Sequence, residues 1–328
     1  MMNRTGTHRH LNLIGVLAAL CAGAIAAPGV ANAYAYVGNQ RSGTVSVIDT
    51  TRDVVVRTLP AHGKIGEKIQ AVVADRAQKH IFVVDAAGND LVELDAATGD
   101  VQKRIPVGRA PEGASLSPSG RTIAVCVEED NTVALVDVAT ARVIRRIHTQ
   151  GQNPEHCEFN GNARWMMTGN ENSNNVDIIN LRAGRSIALV PTSGHPRGVA
   201  WLPHPLIAYV AQESANGVDV VDAAKHRVIR SIHTGLRAAG AIASPHGRLV
   251  FVSNGGDGTV SAIDTATGTV RATIAVGKRP WNMAMTPDGS KLYVANGRSD
   301  SVTVIDTRRL KAIKTIAVGG LPWGVSIP

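Results

Sequence analysis

Residues 293–307 read Tyr293-Val-Ala-Asn-Gly-Arg-Ser-Asp-Ser-Val-Thr-Val-Ile-Asp-Thr307. An apolar run ends in Asn, a short polar turn follows, and an alternating strand ends in Asp. The same pattern occurs seven times, and its last acid or amide is Asp49, Asp95, Asp137, Asn180, Asp222, Asp264 and Asp306. The intervals between them are 46, 42, 43, 42, 42 and 42 residues. A period near 42 built from short alternating strands predicts a β-propeller.

One complete repeat, residues 280–317, shows how each blade is built. It contains four strand-like segments, a to d, and Pro287-Asp-Gly-Ser forms a tight turn between the first two. Four short antiparallel strands are one propeller blade. We expect the recurrent Asp to accept backbone N–H groups in the turn between strands c and d, which is a structural role. The sequence therefore predicts an all-β, seven-bladed propeller of four-stranded antiparallel blades.

The two ends of the repeat array complement each other. The segment Tyr34-Ala-Tyr-Val-Gly-Asn39 begins the array at a strand b, whereas Leu321-Pro-Trp-Gly-Val-Ser-Ile327 is a strand a with nothing after it. We predict that the C-terminal strand completes the first blade and closes the ring, which removes an exposed sheet edge.

Residues 1–33 have the features of a signal peptide. Arg4 and Arg9 precede an apolar segment, residues 11–27, and Ala31-Asn32-Ala33 is a small-x-small cleavage site. No later stretch approaches the ~20 apolar residues of a transmembrane helix. We predict cleavage near Ala33, a propeller domain over residues 34–328, and a monomeric protein that is periplasmic or secreted.

The charge of the predicted mature chain is modest. The leader contains two of the 34 Lys and Arg residues, so 32 remain against 26 Asp and Glu, a net charge of +6. A positive balance is compatible with binding to anionic polymers. However, the basic residues are scattered over the outer strands and aromatics make up only 3% of the chain, which argues against nucleic acid.

Three segments, Tyr36-Val-Gly-Asn39, Phe251-Val-Ser-Asn254 and Tyr293-Val-Ala-Asn296, resemble the signature of the YVTN β-propeller repeat family. Ser117-Pro-Ser-Gly120 and Ser244-Pro-His-Gly247 fit the same pattern. The resemblance covers residues 34–328 and implies an exported propeller whose biochemical role is undefined. The Trp that follows the Asp-x-x-Thr-Gly turn in quinoprotein blades is missing, so we expect no quinone and no other organic cofactor.

The candidate site lies on one face of the predicted ring. The d-to-a and b-to-c loops emerge together there, and loops on a rigid scaffold commonly carry function. Repeats three to five depart from the family pattern in these loops and collect acidic and basic side chains. The predicted ligand-binding residues are Glu112, Glu128, Glu129, Glu155, His156, Glu171, His195, Arg197, Glu213, Trp281 and Trp323.

Three interpretations of this sector remain open. A metal site would use His156 with Glu155, although no tight ligand spacing is present. An acid/base enzyme, similar to propeller lactonases or lyases, would pair His156 with a neighbouring Glu. We favour the third, a non-enzymatic docking or scaffolding surface for a protein or a small polar ligand.

Cys126 and Cys157 are the only cysteines after the predicted leader. They fall late in strand b of the third blade and early in strand a of the fourth, so both lie near the same face. In an oxidising compartment they are candidates for a disulfide, and the alternative is a pair of small buried side chains.

Overall fold

The computed structural model describes Met2 and residues 34–328. The predicted signal peptide and its cleavage site near Ala33 lie outside the described residues. No helix within the described range is long and apolar enough to cross a membrane.

Residues 34–328 form seven four-stranded antiparallel sheets, each of which is one blade. Blade 1 contains β1 (Tyr34–Asn39), β2 (Thr44–Asp49), β3 (Val54–Leu59) and β28 (Pro322–Ser326). Blade 2 contains β4 (Ile69–Ala74), β5 (His80–Asp85), β6 (Asp90–Asp95) and β7 (Val101–Pro106). Blade 3 contains β8 (Pro111–Leu116), β9 (Thr122–Val127), β10 (Thr132–Asp137) and β11 (Arg142–His148).

The remaining blades repeat the order without interruption. Blade 4 contains β12 (Pro154–Phe159), β13 (Trp165–Asn170), β14 (Asn175–Asn180) and β15 (Arg185–Pro191). Blade 5 contains β16 (Pro196–Trp201), β17 (Ile207–Gln212), β18 (Gly217–Asp222) and β19 (Arg227–His233). Blade 6 contains β20 (Ala238–Ala243), β21 (Leu249–Asn254), β22 (Thr259–Asp264) and β23 (Thr269–Ala275), and blade 7 contains β24 (Pro280–Met285), β25 (Lys291–Asn296), β26 (Ser301–Asp306) and β27 (Lys311–Ala317). Two single-turn 3-10 helices, Glu171–Ser173 and Gly297–Ser299, lie between strands b and c of blades 4 and 7.

The C-terminal strand closes the ring as the sequence predicts. In blade 1, β28 pairs antiparallel with β1, and Tyr36 lies opposite Ser326 while Gly38 lies opposite Gly324. Blade 7 also contacts blade 1 through Lys291, whose ammonium group donates to the Asp53 carboxylate at 2.7 Å. The first blade therefore combines the first and the last strands of residues 34–328, and β28 is its strand a.

Each sheet packs against a neighbouring sheet on both sides, which explains the long apolar runs. Strands b and c are buried along almost their whole length, as in β9 and β10, because both of their faces are covered. Strand d is outermost, and β11 is exposed at most positions. The apolar core is therefore a series of clusters between adjacent blades.

The recurrent Asp stabilises the c–d turn, which confirms its predicted structural role. Asp95 accepts hydrogen bonds from the backbone N–H groups of Ala97 and Thr98 at 2.8 and 2.9 Å. Asp264 makes the same pair of bonds to Ala266 and Thr267. These backbone hydrogen bonds, Thr98 first, lower the pKa of Asp95. The acids at this position are therefore used by the fold.

Basic side chains in the outer strands join each blade to the next. Five of them occupy one register position of strand d and donate to a backbone carbonyl in the c–d turn of the following blade. The pairs are Arg57 with Ala97, Lys103 with Thr140, Arg145 with Leu181, Arg230 with Thr267, and Lys314 with Arg52, which links blade 7 to blade 1. Blades 4 and 6 have Ala188 and Ala272 at this position instead. Part of the scattered positive charge is thus explained by contacts between blades.

Candidate functional site

The innermost strands determine what lines the central channel. We call the face formed by the d–a and b–c loops the upper face, and every strand a enters the channel from it. The second residues of the seven strands a are Gln70, Glu112, Glu155, Arg197, Ala239, Trp281 and Trp323. The third residues are small in five blades and are His156 and Asn282 in the other two. A Cβ on Gly113 would lie 2.3 Å from the backbone oxygen of Glu155, so adjacent inner strands approach too closely for a side chain there.

Arg197 is the centre of a buried ion cluster at the upper end of the channel. Its side chain is only 12% exposed, and it contacts four carboxyl groups. One nitrogen, Nη2, contacts Glu155 and lies 3.7 Å from Glu112. The other, Nη1, lies 2.7 Å from Glu213 and 3.4 Å from Glu171. Burial opposes the charge on Arg197, but the surrounding carboxylates, Glu155 first, outweigh it and raise the pKa of the guanidinium group.

Glu213 connects this cluster to the sixth and seventh blades. Its Oε1 atom accepts from Arg237 at 2.6 Å and from Arg279 at 3.0 Å, while Oε2 faces Arg197. Burial favours the neutral acid, but the three guanidinium groups outweigh it and lower the pKa of Glu213 to about 2. Glu213 is therefore ionised at every physiological pH.

The acids in the other half of the cluster have shifted pKa values. Burial and the charge on Glu112 raise the pKa of Glu128 to about 9. Burial also raises the pKa of Glu155, against the attraction of Arg197. Glu112 lies in hydrogen-bond contact with both acids, and these contacts outweigh its own burial and lower its pKa. Glu128 is therefore protonated at neutral pH and can donate a hydrogen bond to the Glu112 carboxylate.

His156, Asn282 and Trp323 line the channel next to the ion cluster. The His156 ring stacks on Trp323 with a centroid separation of 5.5 Å and an interplanar angle of 13°. Its Nε2 atom lies 3.2 Å from Asn282 Oδ1, so Nε2 carries the proton that this bond requires. Burial, and then the charge of Arg197, lower the pKa of His156 to about 4. The imidazole is therefore neutral. Trp323 packs against one face of the ring and Asn282 bonds to one edge.

The structure brings most of the predicted site residues together. Seven of them lie in or directly against the Arg197 cluster: Glu112, Glu128, Glu155, His156, Glu171, His195 and Glu213. Glu129 lies apart from it, 61% exposed and 3.6 Å from Arg109. Trp281 packs beneath the guanidinium of Arg279, 5.8 Å from its ring centroid.

Arg279 and Asn282 are functional candidates that the sequence reasoning did not select. Asn282 carried a usable signal, because it replaces a small residue at the same strand position as His156. Arg279 carried none, since its pairing with Glu213 joins residues 66 positions apart.

A possible set of metal ligands exists, but it is not the predicted pair. Ligand atoms of Glu171, His195 and Glu213 lie within 4.8 Å of one another. The Arg197 guanidinium already contacts both of these glutamates and supplies positive charge there. The predicted pair, His156 Nδ1 and Glu155 Oε1, is 3.8 Å apart with both side chains largely buried. The local geometry favours the guanidinium as the counter-ion of these carboxylates.

Cys126 and Cys157 are adjacent free thiols between blades 3 and 4, and both are buried. Cys126 Sγ lies 3.5 Å from Thr168 Oγ1. Burial, and then hydrogen bonding with Cys157, raise the pKa of Cys126. The candidate disulfide is not formed in this structure, and the two thiols pack as small buried side chains, the alternative that the sequence left open.

Two family models match the sequence. The first is described as outer membrane protein assembly factor BamB, and it matches residues 41–271, more than two thirds of the chain. The chain belongs to this family of β-propellers. The second model, a YNCE-like beta-propeller, matches residues 238–323. No curated protein matches the sequence.

Solved structures share the propeller fold of this BamB-family chain. Hydrazine synthase from Kuenenia stuttgartiensis superimposes with a TM-score of 0.69 and 21% identity, covering 78% of this chain and 88% of that one. A functionally unknown protein from Desulfotomaculum acetoxidans superimposes with a TM-score of 0.76 and 13% identity, covering 90% of this chain and 99% of that one. At these identities the likeness concerns the fold alone.

Proposed function

We propose that this chain is an exported, non-enzymatic propeller that binds a protein or a small polar ligand through its upper face. The supporting observation is the Arg197 cluster, which ties together inner strands and loops of blades 3 to 7. Cross-linking the loops in this way holds them in one arrangement before a partner arrives, and pre-organisation lowers the entropy cost of binding. The YVTN repeat type and a monomeric state are part of the same proposal, and export rests on the features of residues 1–33.

The binding surface itself would be the polar rim around the buried cluster. Arg109, Glu129, His195 and Arg237 have side chains that are 65%, 61%, 44% and 56% exposed. His195 and Arg237 contact Glu171 and Glu213 of the cluster, whereas Arg109 and Glu129 pair with each other elsewhere on the same face. A partner would therefore be recognised by exposed groups of both signs, with the cluster as a rigid support.

The geometry of His156 favours binding over acid/base catalysis. A general base must reach the proton it removes, but the lone pair of this ring is on Nδ1, which is buried and lies 3.8 Å from Glu155. The enzyme alternative predicts that His156→Ala abolishes turnover with little change in the melting temperature. The packing predicts a lower melting temperature, because a buried stacked ring is lost.

Site-specific photo-crosslinking in the periplasm of expressing cells tests the proposal. A photoreactive residue is placed at Glu129 or His195 on the upper face, and at Asp100 or Thr267 on the opposite face as matched exposed controls. We expect discrete adducts from the upper positions only. Adducts of equal yield from both faces, or no adduct from any position together with no ligand-dependent thermal shift, would overturn it. Binding to an anionic polymer is recognised by a steep fall of affinity with added salt.

A further inference from the structure

Glu158 lies in a cavity that the upper-face cluster does not use. The part of the central channel beyond His156 encloses about 320 Å³ between the seven strands a. A second cavity of about 400 Å³ adjoins it, and the two share Glu158, Val199, Ala241, Ile242 and Met283. The second cavity is also lined by Leu202, Pro203, Ser244 and Pro245 of two a–b turns, so this space opens toward the lower face.

The Glu158 side chain has no partner in this space. Among the described residues it has no hydrogen bond or ion pair, whereas its backbone oxygen accepts from Trp201 Nε1 at 3.0 Å. Within residues 34–328, no Lys or Arg lines either cavity, and the other titratable side chains that do are those of His156 and Cys157. Burial alone raises the pKa of Glu158 to about 8. The Glu158 side chain is half-buried and lines both cavities, so its unpaired carboxyl is free to accept a hydrogen bond from a ligand there.

The surroundings of Glu158 define the chemistry of a ligand. Val199, Ile242 and Met283 offer an apolar wall, and the unpaired carboxyl offers an acceptor for a cation. We propose that the lower channel binds a small primary amine, with its ammonium group on Glu158 and its alkyl chain against this wall. An ammonium group provides three donors in a compact charge and forms a strong charge-assisted hydrogen bond with a carboxylate. The volume suits an alkyl chain of a few carbons and excludes a folded partner.

Calorimetric titration of the full chain with butylammonium chloride at pH 8.5 tests this site. We expect saturable binding that 1-butanol does not reproduce. Glu158→Gln, a neutral side chain of the same shape, should weaken binding at least tenfold, since a hydrogen bond to a charged group is lost. Asp100→Asn, an exposed acid on the c–d turn of blade 2, is the matched control and should leave the affinity unchanged.

A second measurement does not depend on any variant. Affinity should rise from methyl- to butylammonium by roughly fourfold per methylene as the chain covers the apolar wall. Equal affinity of wild type and Glu158→Gln would overturn the proposal, as would an affinity independent of chain length. No detectable binding of any amine would mean that the cavity holds water only, which also overturns it. Failure here leaves the upper-face proposal unaffected, because the two tests use different residues.

Discussion

Replacing Arg197 with Met removes the guanidinium group that contacts Glu112, Glu155 and Glu171 while it keeps a side chain of similar length. Glu213 would still have Arg237 and Arg279, so its charge remains compensated. Glu155 would lose its guanidinium partner, and its side chain is only 1% exposed. The substitution therefore leaves buried acidic groups without their main counter-ion.

The loss of unfolding free energy in Arg197→Met follows from the burial of these acids. Breaking a buried ion pair by removal of one partner typically costs about 3–5 kcal/mol of unfolding free energy. Residues 34–328 number 295, and an unfolding entropy of about 2.1 cal/mol/K per residue then corresponds to a fall in melting temperature of roughly 5–8 °C. At lower pH the uncompensated acids take up protons, so the deficit at pH 5 should be smaller than at pH 8.

The assay is urea denaturation at pH 8 and pH 5, followed by circular dichroism, together with scanning calorimetry. Arg237→Met is the matched control, because the Arg237 side chain is 56% exposed and its ion pair among residues 34–328 is with Glu213; it should cost about 1 kcal/mol or less. Adding Glu155→Gln to Arg197→Met should recover a large part of the loss, as expected for coupled neighbours. A loss no larger than that of Arg237→Met would refute the view that Arg197 compensates buried charge.

Three further predictions concern other parts of the ring. Glu128 has a pKa of about 9 in the folded protein and about 4.5 when unfolded. Its contribution to stability is therefore complete below pH 4.5 and is lost as pH rises through 9. Chemical denaturation should show that Glu128→Gln is more stable than wild type at pH 9 and similar to it at pH 5. Ala188→Arg supplies the outer-strand contact that blade 4 lacks and should raise the unfolding free energy by about 0.5 kcal/mol in urea denaturation. If the unfolding free energy does not rise, these outer-strand contacts do not stabilise the ring. Thiol titration of denatured protein from an oxidising compartment should find Cys126 and Cys157 oxidised if the predicted bridge forms, and two reactive thiols would eliminate it.

The sequence predicts the fold well because the information is repeated and local. Seven copies of one pattern specify seven sheets, and the unmatched ends at Tyr34 and Ile327 specify closure. The sequence also groups the acidic residues on one face, because the antiparallel blade fixes where its loops emerge. These inferences need only strand periodicity and the order of the elements.

The internal arrangement of the site could not be predicted in the same way. His156 contacts Asn282 across 126 residues, and Glu213 contacts Arg279 across 66. Such pairs depend on the diameter of the closed ring and on side-chain length, neither of which is visible in one repeat. For the same reason the acidic sector was expected to be a surface, whereas Glu155 and Glu213 are buried. Which loops share a face is a local property, but which side chains meet across a channel is not.

Strand β12 presents two acids to the channel in opposite electrostatic situations. Glu155 is paired with Arg197, while Glu158, three residues further along, lines a cavity that contains no Lys or Arg among the described residues. The ion pair at the upper end compensates buried charge, whereas the unpaired carboxyl at the lower end is available to a ligand. Mutations should therefore distinguish the roles of the two ends of the channel. Arg197→Met should lower stability without changing amine affinity, and Glu158→Gln should remove amine affinity without lowering stability. A single variant that changed both properties would show that the channel acts as one site.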